Sequence, residues 1–114
     1  MPSPPLVPDM GPISLDQLRR MTLGDADLER EVLEMFVAQA VRLFDRLKAM
    51  PDDASAIAHT LKGSARAIGA DDVAEAAATL ELAIRNGEPC EALTELGQAI
   101  RAACAAIADI LDAS

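Results

Sequence analysis

From Ser14 onward, apolar residues recur every three or four positions, and Gly and Pro break that rhythm at intervals. This spacing marks one face of an α-helix, so each unbroken stretch predicts an amphipathic helix. The first is short, from Ser14 to about Met21, with Ser14 as N-cap, Leu15 and Leu18 facing inward, and a stop before Leu23-Gly24. The second runs from Asp25 or Asp27 to Met50 on the stripe Leu28, Leu33, Phe36, Val37, Ala40, Phe44 and Leu47, and Pro51 ends it. The third opens at Asp52-Asp53, where acidic charge suits a helix N-terminus, and runs to Ile68; Gly69 then stands where a left-handed cap belongs. The fourth spans Ala70 or Asp71 to Arg85, carries Val73, Ala77, Leu80 and Ile84, and stops at Asn86-Gly87. The fifth starts at Pro89 and repeats Leu93, Leu96, Ile100, Ala103, Ile107 and Ile110 to the C-terminus.

No stretch alternates with period two, and β-branched residues are sparse among the alanines, so the class is all-α. Short connections force neighbouring helices to run antiparallel. The economical architecture is an up-down-up-down four-helix bundle over residues 13–114, capped by the short first helix. Residues 1–12 hold five of the seven prolines and no periodicity, and read as a Pro-rich flexible leader.

Composition narrows the function. Of 114 residues, 51% are hydrophobic and 25% charged, enough for one self-supporting domain and too few for a multidomain enzyme. The only aromatics are Phe36 and Phe44, which leaves no stacking platform for bases or sugars. A net charge of -9 repels phosphate backbones and anionic membranes, so neither nucleic acid nor membrane is an expected partner. Without a signal peptide or spanning segment the expected location is cytoplasmic. Cys90 and Cys104 lie 14 residues apart on one expected helix, about 21 Å along its axis, too far to bridge. Two cysteines and one histidine in no ligand spacing give no zinc site.

The third helix carries the chemistry. With His59 as origin and about 100° per residue, Ile57, Leu61, Ser64 and Ile68 fall at roughly 140° to 200° and form the core stripe. His59 points the opposite way, with Ser55, Ala56, Lys62, Gly63 and Arg66 within about 60° of it. A glycine inside a helix costs about 1 kcal/mol relative to Ala, and close approach by another molecule is a reason to bear it. An outward imidazole flanked by cations suits nucleophilic capture of a phosphoryl group better than acid-base catalysis, which needs a water-excluding pocket. A lone surface histidine among ordinary solvated charges is the competing reading.

The run His59-Thr60-Leu61-Lys62-Gly63-Ser64-Ala65-Arg66-Ala67-Ile68-Gly69-Ala70 resembles the signature of histidine-containing phosphotransfer (HPt) domains, H-x-L-K-G-S/A followed by a helix-closing Gly. Leu15 and Leu18 before Gly24, Phe36, and Leu80-Glu81 are similar to the family pattern too, over about residues 13 to 112. The resemblance implies a histidine phosphotransfer protein of a multistep two-component phosphorelay. It would exchange a phosphoryl group with receiver-domain aspartates through Nε2 of His59. It implies that Lys62 stabilises the phosphoryl group and that Gly63 clears space for the receiver. Glu81 and Arg85 stand where the family places polar residues close to the histidine, or else form a simple i,i+4 ion pair. Arg66 matches a position that varies in the family.

The implied partners are response-regulator receiver domains and a hybrid or upstream histidine kinase. No cofactor is implied for this chain, and Mg²⁺ would arrive with the receiver's acidic pocket. With no G-x-x-x-x-G-K-S/T or Gly-rich ATP-lid pattern, the expectation is a monomeric phosphoryl carrier without catalysis of its own. The alternatives are the histidine-bearing domain of a chemotaxis-type kinase, a relative of dimeric histidine phosphotransferases, and a non-catalytic helical adaptor. Receiver docking is expected on an apolar patch of the first helix and the adjoining second, with Leu18 or Met21 exposed in it.

Overall fold

Ser14 adopts extended backbone and its hydroxyl accepts the Gln17 amide, which starts α1 (Leu15–Thr22). Asp25 caps α2 (Ala26–Lys48) in the same way, accepting the Leu28 amide at 3.0 Å. Then follow α3 (Ala54–Ile68), α4 (Asp71–Arg85) and α5 (Cys90–Ala113). This computed structural model describes residues 12–113, so all of the expected leader but Pro12 lies outside the described residues. Among the described residues there is no strand, as an all-α chain requires, and no helix is long and apolar enough to cross a membrane.

Two boundaries depart from the expected ones. α2 ends at Lys48 because the Ala49 and Met50 amides turn back onto the Arg46 and Leu47 carbonyls, and Met50 takes φ 49°. Asp52 and Asp53 stand before α3 without capping it; the Asp53 carboxylate instead meets Arg46 at 3.2 Å across the turn.

Each of α2 to α5 packs on its chain neighbour, α5 also packs on α2, and the backbones of α2 and α4, and of α3 and α5, stay further apart. α1 lies on α2 and α3. Leu33, Leu47, Leu61, Leu80, Leu96 and Ile107 fill the core, and buried alanines such as Ala40, Ala58, Ala65, Ala77 and Ala103 let the helices approach closely. The α2 stripe is shifted from the expected one: Leu43 is buried, Phe44 and Val37 are half-buried and Leu28 is exposed. Leu18 is fully buried, as its inward phase on the first helix predicts, and so is not part of an exposed docking patch.

At the end of α3 one glycine joins two elements. Gly69 has φ 83°, and its carbonyl accepts the Ser14 amide at 2.8 Å, pinning the start of α1 to the end of α3. A Cβ on Gly69 would lie 2.6 Å from the Ser14 carbonyl oxygen. Cys90 is exposed and Cys104 half-buried; both are free thiols, and burial pushes the Cys104 thiol up.

Candidate functional site

The buried face of α3 is Ala54, Ile57, Ala58, Leu61, Ala65 and Ile68. His59 lies opposite that face and its side chain is 68% exposed. Only Gly69 and Ala70 separate α3 from α4, so the two helices run side by side and bring Glu81 beneath the histidine. Glu81 Oε2 lies 3.3 Å from His59 Nδ1, and Glu81 Oε1 lies 2.9 Å from Lys62 Nζ. Lys62 and Glu81 are largely sheltered, 20% and 15% exposed, so their attraction is screened less than that of a surface pair.

The hydrogen bond from Lys62 holds the Glu81 carboxyl below its ordinary value; burial opposes this shift and His59 adds a smaller pull downward. Glu81 is therefore a carboxylate at neutral pH and can only accept. A hydrogen bond to it assigns the proton of a neutral His59 to Nδ1 and leaves the lone pair on Nε2, the more outward nitrogen. Glu81 is thus joined to His59 and Lys62, and the expected alternative of a Glu81–Arg85 ion pair is not formed.

Gly63 is exposed, and no atom lies within 4 Å of where its Cβ would be. Nothing among the described residues outside its own helical turn requires a glycine there. Arg66 is exposed seven residues after His59, about 10 Å along the axis, beside the imidazole rather than at it. Its carbonyl accepts Gln17 Nε2, and its guanidinium makes no ion pair among the described residues. Arg85, exposed in the last turn of α4, likewise joins neither His59 nor Glu81. Ser64, expected in the core stripe, is half-buried on the wall of an open groove between α2 and α3.

The site is thus one exposed histidine on a helix, its Nδ1 engaged by a carboxylate and its Nε2 left open. The chain matches the Hpt domain across residues 31–112, most of its length, and belongs to that family. Comparison with curated proteins and with solved structures gives no match. Hpt domains are phosphocarrier modules that act in histidine phosphotransfer with receiver domains and histidine kinases.

Proposed function

We propose that this protein carries a phosphoryl group on Nε2 of His59 in a multistep phosphorelay, taking it from and giving it to receiver-domain aspartates. The observation that carries the reading is the exposed His59 ring with Nδ1 bound to Glu81. In the forward step the Nε2 lone pair attacks phosphorus of the partner's aspartyl phosphate. An N–P bond forms, the P–O bond to aspartate breaks, and its electron pair stays on the aspartate carboxylate. Nδ1 keeps its proton throughout, and the positive charge gained by the ring faces Glu81. Onward transfer reverses these changes. The partners are response-regulator receivers, which bring their own Mg²⁺, and a hybrid or upstream histidine kinase.

The same reading makes residues 13–114 one up-down-up-down antiparallel four-helix bundle, monomeric, cytoplasmic and without catalysis of its own. The closed order of helix contacts and the two- to five-residue connections support the antiparallel arrangement. The experiment is incubation with a phosphorylated receiver, whose outcome opens the Discussion.

Three further outcomes test the parts. Lys62→Ala is expected to slow transfer by roughly tenfold, equivalent to about 1.4 kcal/mol of barrier, by removing the cation one turn from the phosphoryl group. As the partner of a sheltered carboxylate, Lys62 should cost about 1 kcal/mol of stability when removed, more than an exposed lysine would. Rapid-quench transfer and denaturant melts measure the two; unchanged transfer removes Lys62 from the site. The lowered Glu81 pKa means that its contribution to stability is present above about pH 4.5 and is lost as pH falls through the lower folded value.

Gly63→Ala should gain up to about 1 kcal/mol from helix propensity, since its Cβ meets no neighbour, while receiver-dependent transfer weakens. A less stable, fully active variant would assign the glycine to folding. Met21, partly exposed on α1, takes over the docking role once expected also of Leu18. Met21→Glu should weaken receiver binding, whereas salt raised from low to physiological strength should not, because the carrier's charge of -9 gives an acidic partner little long-range attraction. Calorimetry across a salt series decides it, and a steep loss with salt and no effect of the substitution would make charge the recognition element.

A further inference from the structure

Two residues other than glycine adopt left-handed backbone among the described residues, Met50 with φ 49° and Leu23 with φ 56°. That conformation crowds the Cβ of any L side chain, so each calls for a compensating contact. Met50 has one, because its side chain is half-buried against the core. Leu23 has none. It caps α1 with its amide turned onto the Arg19 carbonyl, and its side chain is 91% exposed. Glycine would close the helix there without strain. Neither capping nor packing inside the chain accounts for a leucine at this position.

Its neighbours extend the exposed apolar surface. Six large apolar side chains are exposed among the described residues, and three of them, Met21, Leu23 and Leu28, stand together at the corner between α1 and α2. Such a cluster is surface that a partner covers at a gain. The corner is tied to the helix that carries His59: Ser14 is bonded to Gly69 at the end of α3, and Gln17 Nε2 reaches the Arg66 carbonyl. From His59 to Arg66 is about 10 Å along α3, and from Gln17 to Leu23 about 9 Å along α1. A standard interface covers about 800 Å² on each side, roughly 30 Å across, and so takes in both ends of this path. Arg66 and Arg20 stand along it, exposed and in no ion pair among the described residues.

We infer that Leu23 is the apolar anchor for a receiver domain, held out on strained backbone so that the partner rather than the fold buries it. The inference rests on the phosphotransfer reading and goes beyond it in naming the residue that holds the partner in place. Charge selects the same occupant as polarity does. A domain that keeps Mg²⁺ beside its aspartyl phosphate does so with carboxylates, and these meet Arg20 and Arg66 at contact range when Leu23 is covered. The strain is present before docking and the burial only after it. The same leucine therefore lowers the stability of the free protein and raises its affinity for the partner.

The test compares wild type with Leu23→Gly and Leu23→Asn, both of which fit left-handed backbone, and with Met50→Gly. Three quantities are read: Tm, the Kd for a receiver domain by calorimetry, and the phosphate taken by His59 from phosphoramidate, a donor small enough to need no docking. Both Leu23 variants should keep Tm or raise it by a few degrees, weaken receiver binding by about tenfold or more, and take phosphate from phosphoramidate at the wild-type rate. Met50→Gly should lower Tm and leave binding unchanged. Wild-type affinity in both Leu23 variants overturns the anchor, and so does a lowered Tm in both, which would assign the leucine to folding. Self-association of wild type that the variants lose places a second copy on Leu23 and overturns it too. A wild type that takes phosphate neither from phosphoramidate nor from a phosphorylated receiver overturns the phosphotransfer reading, and the anchor with it.

Discussion

Incubated with a phosphorylated receiver domain, the protein is expected to gain a phosphate that is acid-labile and base-stable, and His59→Gln to gain none. The effect is all or nothing because His59 is the only histidine among 114 residues. A phosphohistidine, unlike a phosphoserine or an aspartyl phosphate, survives base and is lost in acid, so lability identifies a phosphate on nitrogen and the His59→Gln variant identifies which nitrogen. Glutamine is close in size to histidine, and its amide can still donate to Glu81. Its nitrogen lone pair is delocalised into the carbonyl, however, and is no nucleophile. The side chain it replaces is 68% exposed, so the variant should unfold within about 0.5 kcal/mol of wild type. Matching melts with lost phosphorylation separate chemistry from folding. Phosphate retained by His59→Gln at comparable yield would sink the assignment and leave the helical adaptor as the reading.

The largest stability loss is expected from Gly69→Ala. Two costs coincide there. A φ of 83° is open to glycine and costs an L side chain about 1–2 kcal/mol. The new Cβ would also stand 2.6 Å from the Ser14 carbonyl oxygen and 3.1 Å from Gln17 Cβ, and the first is backbone that cannot swing aside. Relief requires α1 to lift from the end of α3, which breaks the Ser14–Gly69 hydrogen bond and uncovers Leu18 and Ile13. Together these should cost about 2–4 kcal/mol and lower Tm by roughly 10–20 °C, read by thermal denaturation. Gly24→Ala is the control: its φ is also positive, 76°, but its Cβ would meet nothing within 4 Å, so only the backbone strain should appear.

The caps were legible in the sequence because capping is local chemistry. Ser14, Asp25 and Gly69 stand where a side-chain oxygen or a left-handed residue completes a helix end, and each does so. Asp53 stands at the N-cap position of α3, as its acidic charge suggests, but its carboxylate pairs with Arg46 across the turn instead of accepting a backbone amide. Helical phase correctly turned His59 outward. It could not say that Leu18 is buried entirely, since that depends on how a short helix lies across two others. Nor could it reveal that Lys62 and His59 share one carboxylate. Glu81 is 22 residues from His59, and an i,i+4 partner on its own helix, Arg85, offered an equally reasonable pairing. Register between α3 and α4 settles the choice, and register is a property of packing.

The two-residue junction Gly69-Ala70 has a kinetic consequence. His59, Lys62 and Glu81 belong to one helical hairpin, so the loop that must close to bring them together is short and its entropy cost small. Contacts of such low sequence separation are those that form fastest when a chain folds. In hydrogen exchange, α3 and α4 should accordingly behave as one cooperative opening unit, with His59 and its carboxylate appearing and vanishing together.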